Sequence, residues 1–266
     1  MGLEIRSGGE FSTIPRQPAP VDRERFLHQV QVEMGIRESL MSGPQTSAIV
    51  TPERHDELFH DIAFIGELLV NSGVPFFLGG GAGVALAGEE DLHRDQYDLD
   101  FKAYAHHATL LIPFLNNAGF RTLDPETRRW LFTGNKIPKK IMAFKTNPEL
   151  TVGPGRFDIY LMENSDETIR EYRNLPIPEA VYTNGTRHVD INGVTIPVAP
   201  LQVTLLYKLC SIAAAEPPRG ADRDDFARYF PTLSDEQFAE FCVLYSSIKD
   251  KFLLDLEAEK SQTFDA

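Results

Sequence analysis

The chain has little from which to build a secreted or membrane-bound protein. It carries two cysteines, Cys210 and Cys242, in 266 residues, too few for a disulfide framework. Both fall in apolar helical patterns, where a buried free thiol is the expectation, and a reducing, cytoplasmic compartment fits them. No apolar run approaches the length of a membrane span. The first twenty residues lack the basic-then-apolar order of a secretory signal. Gly2 is followed by Arg6 where a myristoylation signal needs Ser or Thr. Cations are scarce as well: 26 Lys and Arg against 39 Asp and Glu leave a net charge of −13. Such an acidic surface disfavours broad binding to phosphate backbones and suits a cationic small substrate. There is no internal repeat, and no Gly-rich segment runs into the Lys-Ser/Thr of a Walker loop.

What is present is organised around positions 75–101, PFFLGGGAGVALAGEEDLHRDQYDLDF. An apolar strand, Phe76-Phe77-Leu78, leads into Gly79-Gly80-Gly81-Ala82-Gly83 and a short small-residue segment, Val84 to Ala87. A charged loop then leads to a second strand carrying Asp98 and Asp100. Before this stretch, residues 1–20 read as a disordered tail. Val21 to Leu40 has helical character, ending at Ser42-Gly43-Pro44. Thr51-Pro52-Glu53 opens a second helix, with a hydroxyl cap, proline in the first turn and an acid at the positive end of the dipole. Leu58, Ile62, Ile65 and Leu69 carry it to Asn71-Ser72-Gly73.

After Phe101, a helix is expected over His106–Asn117, then strands over Phe120–Leu123, Arg129–Phe132, Lys140–Phe144 and Phe157–Met162. Asn192-Gly193 joins Val189–Ile191 to Val194–Val198 in the clearest hairpin of the chain. From Pro200 the pattern is helical: Leu201 to Ala215, Asp222 to Tyr229, and a third helix from Ser234. The expected organisation is α+β: a core over residues 21–199 with a short mixed sheet, N-terminal and flanking helices, then a helical C-terminal subdomain over 200–266.

Two acids at i and i+2 of a strand share a face and repel unless a cation lies between them. Mg²⁺ is suited to that place, being hard and accepting carboxylate and phosphate oxygens together. An exposed edge strand with two solvated acids is the plain alternative. The glycines before them let a backbone approach phosphate oxygens closely, and the following helix start offers free amides; a tight turn without ligand is the alternative there. Asp158 stands between Phe157 and Ile159, and a lone acid in an apolar strand must be paired, hydrogen-bonded or metal-bound. The 128–145 segment holds Arg128, Arg129, Lys136, Lys139, Lys140 and Lys145 without one acid. It can hold a triphosphate or RNA, or serve as edge-protecting charge. His106-His107 lacks partners at metal-ligand spacing and reads as surface.

Taken together, the strand, Gly80-Gly81, the short helix and Asp98-Leu99-Asp100-Phe101 resemble the signature of the nucleotidyltransferase superfamily that includes DNA polymerase beta. The likeness is nearest to lincosamide and aminoglycoside nucleotidyltransferases and to abortive-infection-type nucleotidyltransferase toxins. It extends to His93-Arg94, to Lys208 and to Arg219-Gly220-Ala221-Asp222-Arg223-Asp224-Asp225, over roughly Leu58 to Tyr229. Gln96 and Tyr97 replace the hydroxyl residue that such families often place before the acids. The resemblance implies transfer of a nucleoside monophosphate from an NTP to an acceptor hydroxyl. Two Mg²⁺ ions would sit on Asp98, Asp100 and Asp158, with Asp158 as general base. Gly80, Gly81, Arg94 and Lys208 would hold the nucleotide phosphates, and Asp222 or Asp225 would position the lysine or the acceptor. The acceptor is expected to be a small, antibiotic-like molecule. A toxin-like enzyme acting on tRNA or protein and a non-catalytic nucleotide- or partner-binding descendant are the alternatives.

Overall fold

The structure is a computed structural model that describes residues 22–36, 50–89, 91–96, 98–133, 137–146, 153–165, 167–170, 175–215 and 219–264, with side chains to 258. The expected tail, Ser42-Gly43-Pro44 and Tyr97 lie outside the described residues.

Helix α1 (Arg23–Met34) is capped by Asp22, whose carboxylate accepts from the amides of Glu24 and Arg25. It stops at Met34 rather than at the expected Leu40. Gly35 adopts left-handed backbone (φ 66°) and its amide bonds back to the carbonyls of Gln31 and Val32, which closes the helix. Helix α2 (Pro52–Asn71) begins as the sequence indicates, with the Thr51 hydroxyl accepting from the Arg54 amide. Strand β1 (Phe76–Leu78) and helix α3 (Gly80–Gly88) follow. Strand β2 (Asp100–Tyr104) starts at the second acid, so Asp98 lies in the bend before the strand and not within it. A short 3₁₀ turn, Ala105–His107, precedes helix α4 (Ala108–Asn117), which therefore starts later than His106.

Strands β3 (Phe120–Asp124), β4 (Arg129–Leu131), β5 (Lys140–Lys145) and β6 (Arg156–Ser165) come next. Then come β7 (Thr168–Arg170), β8 (Pro176–Pro178) and helix α5 (Glu179–Gly185). These last three were not legible in the sequence: a three-residue strand shows no periodicity, and the two prolines of β8 argue against a strand. The hairpin β9 (Arg187–Ile191) and β10 (Val194–Val198) forms in the expected register, Ile191 opposite Val194. Helices α6 (Leu201–Ala214), α7 (Gly220–Tyr229) and α8 (Asp235–Phe264) complete the chain.

The result is an α+β fold whose sheet is larger than the short one expected. Its ten strands run β4-β3-β5-β6-β2-β1-β10-β9, with β7 and β8 branching from β6. The pairs β2–β6 and β1–β10 are parallel and the rest antiparallel. The antiparallel pair β1–β2 brackets the glycine turn and the parallel pair β2–β6 sets the acids side by side. One face of the sheet is apolar, with Leu78, Phe101, Ile159, Ile141 and Phe157 all fully buried. Helix α3 contacts β2, β10, α6 and α7, so the glycine segment is held between the sheet and the C-terminal helices. Helix α1 also joins those helices: Phe26 meets Phe238, Phe241 and Tyr245 edge-on at 5.6–6.1 Å. Cys210 is buried and Cys242 partly so, and neither is in a disulfide. Among the described residues no helix is long and apolar enough to cross a membrane.

Candidate active site

Register brings the acids together. Asp100 on β2 is the direct partner of Asp158 on the parallel strand β6, and side chains at paired positions point to one face. The carboxylates of Asp98, Asp100 and Asp158 each place an oxygen within 4.8 Å of the others. Asp98 achieves this from the bend, without the strand alternation expected of it.

The three acids are not equivalent. Asp158 is fully buried and both its oxygens are engaged. Arg156 donates from Nε at 3.1 Å and from a terminal nitrogen at 2.8 Å, and Lys140 Nζ lies 2.5 Å away. Lys140 also donates to the Tyr160 hydroxyl at 3.0 Å. Burial alone would lower the Lys140 ammonium, but the bonds to Asp158 and Tyr160 outweigh it and hold the group above the ordinary lysine range. Asp100 has the opposite surroundings. Burial, reinforced by the neighbouring Asp98 charge, pushes its carboxyl up to about 6, and its Oδ1 is shut off from solvent with no hydrogen-bond partner. A buried, unpartnered carboxylate oxygen facing two more carboxylates is the donor set that a hard divalent cation takes. The residues therefore fit such an ion.

The glycines meet this carboxylate at close range. The Gly79 amide donates to the Asp100 carbonyl at 2.8 Å. Gly80 has φ 60°, and a Cβ there would stand 2.3 Å from Asp100 Oδ2. A Cβ on Gly81 would meet Arg94 at 2.1 Å and Gln96 Oε1 at 2.3 Å. Gly80 thus requires glycine for both backbone and space, whereas a side chain at Gly81 would have to displace the ends of Arg94 and Gln96. Gln96, which with Tyr97 replaces the hydroxyl residue of the resembled signature, is buried against this turn.

Arg94 ties the turn to the C-terminal helices. It grips Asp225 of α7 with two bonds of 2.7 Å. Asp225 also pairs with Lys208 of α6 at 2.7 Å, and Lys208 donates to Asp222 at 3.0 Å. All four side chains are at least largely buried. Burial would lower the Lys208 ammonium, but Asp225 and Asp222 raise it. Burial would likewise raise Asp225, but Lys208 and Arg94 hold it below the usual carboxylate range. The structure thus joins Lys208 to both Asp222 and Asp225, as a lysine held in place by its acids. The loop before the acids is fixed from outside by Arg54 of α2, which donates to Asp95 at 2.9 Å and to the Gln96 carbonyl at 3.1 Å.

Sequence reasoning missed Lys140 and Arg156 as partners of Asp158. The signal available was the demand for a partner; Arg156, at i−2 on the same strand face, was the findable one. Lys140 was visible only as part of a basic run.

A scan against protein-family models and a search of curated proteins give no match. Solved structures do. The antibiotic-resistance factor ANT(2'')-Ia superposes with a TM-score of 0.52 at 14% identity, over 77% of this chain and 99% of that one. The lincosamide antibiotic adenylyltransferase LnuA, with lincomycin bound, follows at TM-score 0.45 and 18% identity, over 70% and 99%. An antigenic nucleotidyltransferase-like protein of Paracoccidioides brasiliensis matches at TM-score 0.43 and 15% identity, over 76% and 91%. The chain has a nucleotidyltransferase-like fold. At these identities the likeness is one of fold.

Proposed function

We propose that this protein is a metal-dependent nucleotidyltransferase that moves a nucleoside monophosphate from an NTP to an acceptor hydroxyl. The observation that carries the reading is the convergence of Asp98, Asp100 and Asp158 within 4.8 Å, beside a glycine turn in which Gly80 leaves no room for a side chain next to Asp100. On this reading the three carboxylates hold Mg²⁺, two ions in the complete site. Divalent ions bound there would supply charge neutralisation on the triphosphate and polarisation of the acceptor oxygen.

The chain's own residues account for the rest. Gly80 and Gly81 present amides to the triphosphate. Arg94, lying under Gly81, is the cation at the phosphate end and offsets the charge that develops on the leaving pyrophosphate. Lys208, positioned by Asp222 and Asp225, is on this reading a second cation for the nucleotide phosphates. In the reaction the acceptor oxygen attacks the α-phosphorus, the bond from that phosphorus to the bridging oxygen breaks, and pyrophosphate leaves with the electron pair. The hydroxyl proton passes to Asp158, the general base of this scheme, for which the acceptor has to take the place of Lys140 or Arg156 at one of its oxygens. The acceptor is a hydroxyl-bearing small molecule, a reading supported by the fold shared with an antibiotic-resistance factor.

Incubation with each labelled NTP and Mg²⁺, alone, with an aminoglycoside panel and with total RNA, tests this. Transfer of label with pyrophosphate release is the expected result, abolished by Asp98→Ala and by Asp158→Ala. Binding and transfer by both variants at wild-type level would sink the metal-site reading.

A further inference from the structure

Strand register lays out a second surface beside the acids. Asp100 pairs with Asp158, Asp158 with Met142, Met142 with Leu123, and Leu123 with Trp130. These five residues form one row across β2, β6, β5, β3 and β4, so their side chains share a face. The flanking rows hold Arg121, Phe144 and Arg156 on one side and Lys140 and Tyr160 on the other. The opposite face at these strands is buried: Thr122, Ile141, Ala143, Phe157 and Ile159. This face is open, with Arg121, Trp130 and Arg156 exposed and Leu123, Met142 and Phe144 partly so. It runs about 14 Å from Asp158 to Trp130, as three strand spacings.

Its chemistry is uniform. Arg121 lies 4.5 Å over the Trp130 ring, Lys140 4.5 Å over Tyr160, and Arg156 5.9 Å over Phe144. The strand positions in these rows carry no acid besides Asp100 and Asp158 themselves. Three cations stand beside Asp158, of which Lys140 and Arg156 are its ion-pair partners, so the cluster keeps an excess of positive charge in a chain of net charge −13. Alternating guanidinium and ring planes stack flat π-systems and attract negative charge. A polycation would meet Arg121 unpaired with any acid of these rows and is disfavoured there.

We propose that the open face of β3, β4, β5 and β6 is the acceptor platform, and that it selects an acceptor combining planar rings with negative charge, a nucleotide unit, over a polycationic one. The acceptor role rests on the nucleotidyl-transfer reading; the binding surface does not. The occupant is a single nucleotide, in keeping with a small-molecule acceptor; the end of a single strand has the same chemistry and is the other outcome of the test.

The probe is a fluorescein-labelled single-stranded oligoribonucleotide of about four residues with a free 3′ hydroxyl, titrated by anisotropy in EDTA and in Mn²⁺. It is expected to bind, to weaken with salt, and to weaken about tenfold in Trp130→Ala and in Arg121→Glu. Trp130→Phe and Arg121→Lys are expected to restore most of the affinity. A 4-thiouridine version should cross-link to Trp130, Phe144 or Tyr160, which reads the site in the unsubstituted protein. Displacement by adenosine monophosphate at similar affinity assigns the platform to one nucleotide; weak displacement assigns it to a strand. Tobramycin binding in place of the oligonucleotide, cross-links elsewhere, or affinity indifferent to both variants would overturn the proposal. Oligonucleotide binding without any NTP transfer refutes the transferase reading and leaves the surface standing.

Discussion

Asp100→Asn should make the metal-free protein more stable while destroying its metal site. The wild-type carboxyl titrates at about 6 in the folded chain against 3.8 as the ordinary value, because burial and the Asp98 charge oppose its ionisation. A raised carboxylate pKa contributes stability that is present below the unfolded pKa and lost as pH rises through the folded one. The gap of about 2 units corresponds to roughly 3 kcal/mol at 1.36 kcal/mol per unit. Asparagine carries no charge and does not incur this cost. The variant and wild type should therefore have similar stability near pH 4. Their difference should grow between pH 4 and 6 and level off above pH 7 at up to about 3 kcal/mol, or about 6–12 °C in Tm for a chain of this size. The assay is thermal or urea unfolding across pH in EDTA. Added Mn²⁺ or Mg²⁺ should close the gap at about 100 times its Kd, where it stabilises the wild type by about 2.7 kcal/mol and the variant by little, and reverse the order at about 1,000 times, where the gain is about 4.1 kcal/mol. A variant no more stable than wild type at pH 7.5 in EDTA, or a gap that does not vary with pH, would refute the account of Asp100.

Gly80→Ala should cost about 1–3 kcal/mol, since it combines left-handed backbone with a Cβ 2.3 Å from Asp100 Oδ2; urea unfolding and NTP binding by calorimetry would both register it. Lys140→Met removes one of the two cations on Asp158, so divalent-ion affinity should rise more than about tenfold, since even unit charges about 4 Å apart interact by about 4 kcal/mol at an effective dielectric near 20; Mn²⁺ titration in electron paramagnetic resonance reads it. Asp225→Ala leaves Arg94 and Lys208 without their shared partner, and should destabilise by about 3–5 kcal/mol, as removal of one partner from a buried ion pair does. Asp225→Asn should lose less, having the same shape and one acceptor oxygen, and the two together distinguish charge from packing in the unfolding curves.

The sequence by itself determined the local pieces of this protein, because their signals are local. Thr51-Pro52 starts α2, Phe76-Phe77-Leu78 is β1 to the residue, and Asn192-Gly193 turns the β9–β10 hairpin. Each follows from the φ/ψ demands or periodicity of a few neighbouring residues. The candidate acids were legible for a related reason: Asp158 in an apolar strand has a desolvation cost that announces a partner. Where a local feature was misread, the cause was also local. Gly35 ended α1 early, and Asp98 fell in a bend just before its strand. Tertiary structure alone decided which pieces meet. Only the parallel pairing of β2 with β6 sets Asp100 opposite Asp158. Only the packing of α6 and α7 on α3 joins Arg94, Asp225, Lys208 and Asp222 into one buried charge network. The rows of rings and cations beside Asp158 come from four strands whose register no single segment encodes. Such arrangements depend on contacts between residues far apart in the chain, fixed by how the whole apolar face is buried, and that is why they had to be seen in three dimensions.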